Sequence, residues 1–261
     1  MKKIDLTRVL FNKELSSAYS AGMFPKAKIE INSKKYWIKL SAYNIDSGVY
    51  GIESISEVIA SRVIKRLGFK CLNYQLVNAK VDIDGKVFST YACLSKDFNP
   101  RGRDTLTIEE LFNTFGEEYN SPEQFLYETG RGHIVEEVYI IDFILNNIDR
   151  HGANIEFMNV ANRLDLVPYY DHGLSLLNTQ TDERLNFDIS TRANNYIGSY
   201  DLMENLKKLE GKEIEVNKLT NNGLFTGLVD SISEERKVEI WKLIESRYKY
   251  ARDIKAIKEI S

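Results

Sequence analysis

Cysteine is nearly missing from this chain: 261 residues contain two, Cys71 and Cys93, and only three histidines. Neither set has the spacing of a zinc site. Both cysteines sit in apolar stretches that read as strands, and no apolar signal segment precedes the sequence, so two reduced, buried thiols are expected. No stretch approaches the roughly 18 apolar residues that a membrane span requires. A basic stripe is lacking too. Thirty-five Lys and Arg against 38 Asp and Glu give a net charge of −3. The lysines are interleaved with acids, as in Lys207-Lys208-Leu209-Glu210-Gly211-Lys212-Glu213, which excludes a nucleic-acid footprint. There is no internal repeat and no low-complexity tract. The expectation is a cytoplasmic protein with no membrane span and no direct nucleic-acid contact, long enough for a sizeable core.

What the chain has is concentrated around position 150. An apolar helix through Ile141-Asp142-Phe143-Ile144-Leu145 runs into Asp149-Arg150-His151, and Asn154 follows five residues after Asp149. Further on stands Asp171-His172-Gly173-Leu174-Ser175. A carboxylate, an amide and a second carboxylate beside a glycine suit phosphoryl transfer from a nucleotide. Asp149 is the expected base for a hydroxyl nucleophile. Asn154 and Asp171 are the expected magnesium ligands, as hard oxygen donors, and Gly173 permits a tight backbone after Asp171. Each residue alone would be an ordinary helix-end or turn residue; the joint spacing carries the reading. The Asp-to-Asn interval equals that of the protein-kinase catalytic loop. His151 and His172 either contact phosphate or substrate or brace the loops as neutral imidazoles, and bracing is favoured. His151 is still counted among the nucleotide-contacting residues. Arg150 pairs with a carboxylate or is a surface arginine.

The first third reads as mostly β. Ala27–Ile31 and Tyr36–Leu40 alternate around a turn at Asn32-Ser33, a hairpin pattern. Ser54–Gly68 has Ile55, Ile59, Val63 and Leu67 one turn apart, with Gly68 as a C-terminal stop. Strands are expected at Tyr74–Val81 and Val87–Leu94, joined by a turn at Asp82-Ile83-Asp84-Gly85-Lys86. Residues 95–104 are polar, with Pro and Gly, and read as a hinge. Helices are expected at Thr107–Phe115, from Pro122, along Ile134, Val138, Ile141, Leu145 and Ile148, at Leu202–Leu209 and at Ser233–Ile257, with a hairpin of Ile155–Phe157 and Leu164–Val167. The order implies an α+β, bilobal, protein-kinase-like fold. Its small, mainly-β nucleotide-binding lobe is residues 1–95 and its larger, mainly helical catalytic lobe is residues 96–261.

In the small lobe, Lys39 of Tyr36-Trp37-Ile38-Lys39-Leu40 resembles the lysine of a V-A-I-K strand that contacts the α- and β-phosphates. Glu57 is its expected ion-pair partner, with Glu53 as competitor. The phosphate loop is placed in residues 18–26, where Gly22 and Lys26 are the contacts. A single glycine fails the G-x-G-x-x-G pattern. Ser95 and Asp97 are assigned to the adenine, through backbone groups.

Asp149-Arg150-His151-x-x-Asn154 followed by Asp171-x-Gly173-x-Ser175 resembles the HipA-like serine/threonine kinases, the toxin kinases of bacterial toxin–antitoxin systems. Phosphoinositide kinases share the D-R-H-x-x-N loop, while Asn146-x-x-Asp149 and Ser175 favour the HipA side. The resemblance implies ATP and Mg2+ as cofactors and a protein Ser/Thr acceptor, such as a translation factor or aminoacyl-tRNA synthetase. It also implies an antitoxin partner. Gly22-x-x-Pro25-Lys26 is similar to the family's G-x-x-P-K stretch, in which a serine three residues before the glycine can be autophosphorylated; here that position is Tyr19, and Ser20 is displaced by one. Two departures stand out: the sequence is shorter than full-length members and is expected to lack their extra N-terminal subdomain, and the hinge Leu94–Asn99 lacks the acidic-Arg-Phe-Asp-Arg pattern. The alternatives are a small-molecule or lipid kinase of phosphoinositide type and a nucleotide-binding pseudokinase acting as an interaction module. The first would need a basic pocket, yet residues 178–192 offer only Arg184 and Arg192 as cations. The complete Asp149, Asn154 and Asp171 set counts against the second.

Overall fold

The structure, a computed structural model, describes residues 3–12, 24–44, 46, 48–49, 51–161, 163–188, 190–228 and 230–260. In chain order it opens with β1 (Lys3–Leu6), β2 (Lys26–Ile31), β3 (Lys34–Leu40), a short β4 (Tyr43–Asn44) and β5 (Gly48–Val49). Then come α1 (Glu53–Leu67), β6 (Tyr74–Ile83) and β7 (Lys86–Lys96). A five-stranded sheet in the order β1-β6-β7-β3-β2 results, antiparallel except for β1, which lies parallel to β6. The two hairpins turn as their residues predict: Asn32 and Ser33 both take positive φ, as do Asp84 and Gly85, the twist that two-residue hairpin loops need.

Alternation along the strands sorts their side chains. Ile38, Leu40, Val77, Ala79, Val81, Ala92 and Leu94 face one apolar cluster. Lys39 and Cys93, opposite each other in the β3–β7 register, face the other way. α1 meets that second side. Its Ile55, Val58, Ile59, Val63, Ile64 and Leu67 are buried in the cluster that also contains Cys93 and the helices beyond, and Gly68 ends it at φ 100°.

After β7 the chain forms β8 (Thr105–Thr107), α2 (Ile108–Phe115), α3 (Pro122–Glu128), α4 (Gly132–Leu145), β9 (Asp149–Arg150), β10 (Glu156–Val160) and β11 (Arg163–Leu166). It ends with β12 (Asn194–Asn195), α5 (Leu202–Lys207), β13 (Ile214–Asn217), α6 (Glu234–Asp253) and β14 (Ile257–Ile260). Thr107 and Glu110 close a capping box on α2, and the Ser121 side chain caps α3 ahead of Pro122. α4 is apolar on nearly every side, with ten of its fourteen residues buried, as a central helix must be.

Several boundaries differ from expectation. β6 and β7 pair as far as Ile83 and Lys86, so the turn is Asp84-Gly85 and not residues 82–86. α4 stops at Leu145 because Asn146 adopts φ 51°, so Ile148 belongs to the loop and not to the helix face. α6 ends at Asp253, and Ile257 pairs with Ile214 in a parallel ladder instead of continuing the helix.

Candidate active site

The end of α4 sets the site. Asn147 donates from Nδ2 to Asp142 at 2.9 Å, and the chain then extends through Asp149 and Arg150. The Arg150 guanidinium is fully buried and turns back on Asp142, with Nη2–Oδ1 at 2.7 Å and Nε within 3.2 Å of both carboxylate oxygens. Its Nη1 reaches the Asn154 carbonyl at 3.3 Å. Arg150 is therefore an internal strut of the loop, and the surface alternative fails. In the short 3-10 turn Gly152–Asn154, the Asn154 Nδ2 donates to the Asp149 carbonyl at 3.0 Å, leaving Oδ1 for a ligand. The Asp149 carboxylate accepts from Asn194 Nδ2 at 3.1 Å.

Asp171 sits in the left-handed region at φ 61°. Its N–H and that of His172 both donate to the Glu57 carboxylate, at 2.9 and 2.5 Å. Here the structure departs from the lysine–glutamate pair read from sequence: Lys39 forms its ion pair with Asp171, and Glu57 instead fixes the backbone of the Asp171 loop. Glu53, the competitor, accepts from the Ala42 N–H at 3.1 Å. Burial opposes the charge on Asp171, but the adjacent Lys39 ammonium outweighs it and holds the carboxyl down at about 2; burial opposes the Lys39 charge as well, and Asp171 more than reverses that, raising the ammonium above its ordinary value. His172 is fully buried, and burial together with Arg150 pushes it well below the usual imidazole range, so it is neutral.

Lys39, Asp149, His151, Asn154 and Asp171 border one small cavity with Glu53. It shares Lys39, Asp171 and Phe24 with an adjacent cleft of about 370 Å³, walled by Trp37, Phe98 and Tyr170 and bordered by Lys26, Ser95 and Asp97. Phe98 and Tyr170 stack with ring centroids 5.8 Å apart. The Asp97 N–H already donates to the Lys35 carbonyl at 3.0 Å, so that donor of the expected adenine contact is taken. Gly22, Tyr19 and Ser20 lie outside the described residues.

No protein-family model matches the sequence, and no curated protein matches it. Among solved structures the chain is similar to the Helicobacter pylori proinflammatory kinase CtkA, with a TM-score of 0.63 and 17% identity over 97% of this chain and 96% of that one. This chain has a kinase fold. HipA of Shewanella oneidensis, solved with HipB and operator DNA, gives a TM-score of 0.48 at 15% identity over 95% of this chain and 68% of that one. WaaP in complex with acyl carrier protein gives 0.42 at 11%, over 95% and 90%. A kinase is thus among the structures whose fold this chain shares, as its motifs led us to expect. No described helix is long and apolar enough to cross a membrane.

Within the kinase fold, two site residues escape sequence reasoning. Asp142 had a signal: it is the one acid in the apolar run Val138–Leu145, and a buried charge demands a partner. Asn194 had none, since its contact with Asp149 spans 45 positions.

Proposed function

We propose that this chain is an ATP- and Mg2+-dependent kinase of the HipA-like kind that transfers the γ-phosphate to a Ser or Thr hydroxyl of a protein. Residues 1–95 would supply the nucleotide-binding part and 96–261 the catalytic part. The observation that carries the reading is the convergence of Lys39, Asp149, Asn154 and Asp171 on one cavity that shares Lys39 and Asp171 with a cleft the size of a small-molecule site.

The donor set fits the cofactors. One carboxylate and one amide oxygen are hard donors of the kind magnesium accepts, and magnesium takes few protein ligands, completing its shell with phosphate and water. When bound, magnesium neutralises charge on the β- and γ-phosphates. Lys39 and Asp171, paired with each other, are each placed to take an opposite charge: Lys39 a phosphate, Asp171 a cation. Glu57 keeps the Asp171 backbone at the cleft. Trp37 and Tyr170 offer flat walls that exclude water from a base. Asp149, held by Asn194 through its side chain and by Asn154 through its carbonyl, orients the acceptor hydroxyl and takes its proton.

The test uses Asp149→Asn, with nucleotide affinity and phosphate incorporation measured on the same preparation. Incorporation from labelled ATP should need magnesium, appear as phosphoserine or phosphothreonine, and fall by roughly 10²–10⁴ in the variant while ATP binding persists. Equal incorporation in variant and wild type removes Asp149 from the mechanism, and labelling confined to lipid overturns the protein acceptor.

A further inference from the structure

The segment that brings Asn194 to Asp149 has a face of its own. Ala193, Asn195 and Ile197 are buried, whereas Arg192 is exposed and Asn194 and Tyr196 are half-buried. This is the two-residue alternation of extended chain. Parallel pairing of Asn194 with Asp149 and Asn195 with Arg150 locks it to the catalytic loop, through Asn194 N–H to the Ile148 carbonyl and Tyr196 N–H to the Arg150 carbonyl, both 2.8 Å. Arg192, Asn194 and Tyr196 therefore share one face, and its middle member touches the Asp149 carboxylate.

The two ends of the strip differ in charge. Arg192 lies two residues, about 7 Å of extended chain, from Asn194. It has no ion pair among the described residues. The acid whose backbone bridges to it, Asp201, accepts through Oδ1 from Thr191 Oγ1 and the Met203 N–H, each at 2.8 Å. At the other end Tyr196 meets Gly152. A Cβ on that glycine would lie 2.6 Å from Glu109 Cβ and 3.3 Å from Tyr196 Cδ1. The glycine therefore lets Glu109 and Tyr196 close over it, which sets the exposed Glu109 beside this end of the strip.

We propose that the strip from Arg192 to Tyr196 is the acceptor platform, and that it selects an extended protein segment carrying a carboxylate about two residues to one side of the phosphorylated hydroxyl and a neutral or cationic residue on the other. Arg192 takes the carboxylate as a bidentate partner, while Glu109 repels an acid on the opposite side. The inference rests on the kinase reading for its placement of Asp149, but its test does not.

Two labelled serine peptides of equal composition serve as probes. One carries Glu on the N-terminal side of the serine and Lys on the C-terminal side; the other has the reverse order. Binding is read by fluorescence anisotropy. One order should bind about tenfold more tightly than the other, the scale of one charge-assisted contact. Arg192→Gln should abolish the preference, and Arg192→Glu with Glu109→Lys should invert it. Equal affinity for both orders, no binding by either, or a preference that survives Arg192→Gln overturns the proposal. Order-dependent binding without phosphate incorporation would keep the platform and remove the kinase reading; incorporation blind to order would do the reverse.

Discussion

Removing one charge from the Asp142–Arg150 pair should cost this protein a large part of its stability. Both side chains are fully buried. The Asp142 carboxylate accepts from Arg150 Nε and Nη2 and from Asn147 Nδ2. Asp142→Asn keeps the shape but leaves a guanidinium in the core with no counter-charge, a change that costs about 3–5 kcal/mol. Against a total of roughly 5–15 kcal/mol, that places the variant near the threshold of folding at 37 °C. With a urea slope of about 2–3 kcal/mol/M, the midpoint should fall by about 1–2.5 M at unchanged slope. The paired replacement Asp142→Leu with Arg150→Met deletes both charges at once and should recover most of the loss. It should not recover turnover, because the Asn154 carbonyl loses its Arg150 donor and the loop holding Asp149 loses its strut. A loss below about 1 kcal/mol in Asp142→Asn, the scale of a single neutral hydrogen bond, would refute the reasoning.

Three further outcomes follow from the site. Asp171→Asn should break the pair with Lys39 and sharply weaken magnesium-dependent ATP binding in a folded protein; wild-type Mg·ATP affinity by calorimetry would remove Asp171 from the metal site. Glu57→Gln can satisfy only one of the two N–H groups of Asp171 and His172, leaving a buried donor unpaired at about 1–3 kcal/mol, so turnover should fall more than in Glu53→Gln. A silent Glu57→Gln beside a damaging Glu53→Gln would show the reverse assignment. The Asp182 carboxyl is held below its ordinary value by Ser233 and Arg236. A depressed value means stability present above the ordinary carboxylate range and lost as pH falls through the depressed value. The urea midpoints of wild type and Asp182→Asn should therefore converge as the pH is lowered below about 4, and a gap that stays constant would contradict the bond to Arg236.

The parts legible in the sequence were those governed by local periodicity. α1 could be read from Ile55, Ile59, Val63, Leu67 and the stop at Gly68, because one helix turn and one left-handed glycine are short-range facts. Strand alternation separates Lys39 from Ile38 and Leu40 but does not say which face packs on α1, so the place of Lys39 rested on its resemblance to the V-A-I-K lysine. Which carboxylate would meet that lysine was not legible either, since Asp171 arrives from 132 positions away and wins over Glu57, which is satisfied instead by two backbone N–H groups. The end of α4 was misread because Ile148 keeps the helical period, while the polar Asn146 takes the left-handed turn that ends the helix. The partnership of Asn194 with Asp149 depends on a parallel pairing between two-residue strands, and nothing in so short a stretch announces it.

The burial of α1 also limits how such a site could be switched. Swinging this helix away would bare Val58, Ile59, Val63, Ile64 and Leu67, each no more than 1% exposed, at roughly 1.5–3 kcal/mol apiece. The sum, on the order of 10 kcal/mol, exceeds the about 5.5 kcal/mol of differential affinity a ligand needs to invert a 99:1 population. Arg62 and Arg66 bolt the helix down further through the carbonyls of Leu224 and Asn222 at 2.6 and 2.8 Å. α1 is thus an axle and not a lever: it keeps Glu57 against the Asp171 backbone, and a ligand that reshapes the site has to act through the lining of the cleft, with this helix as the part that stays still.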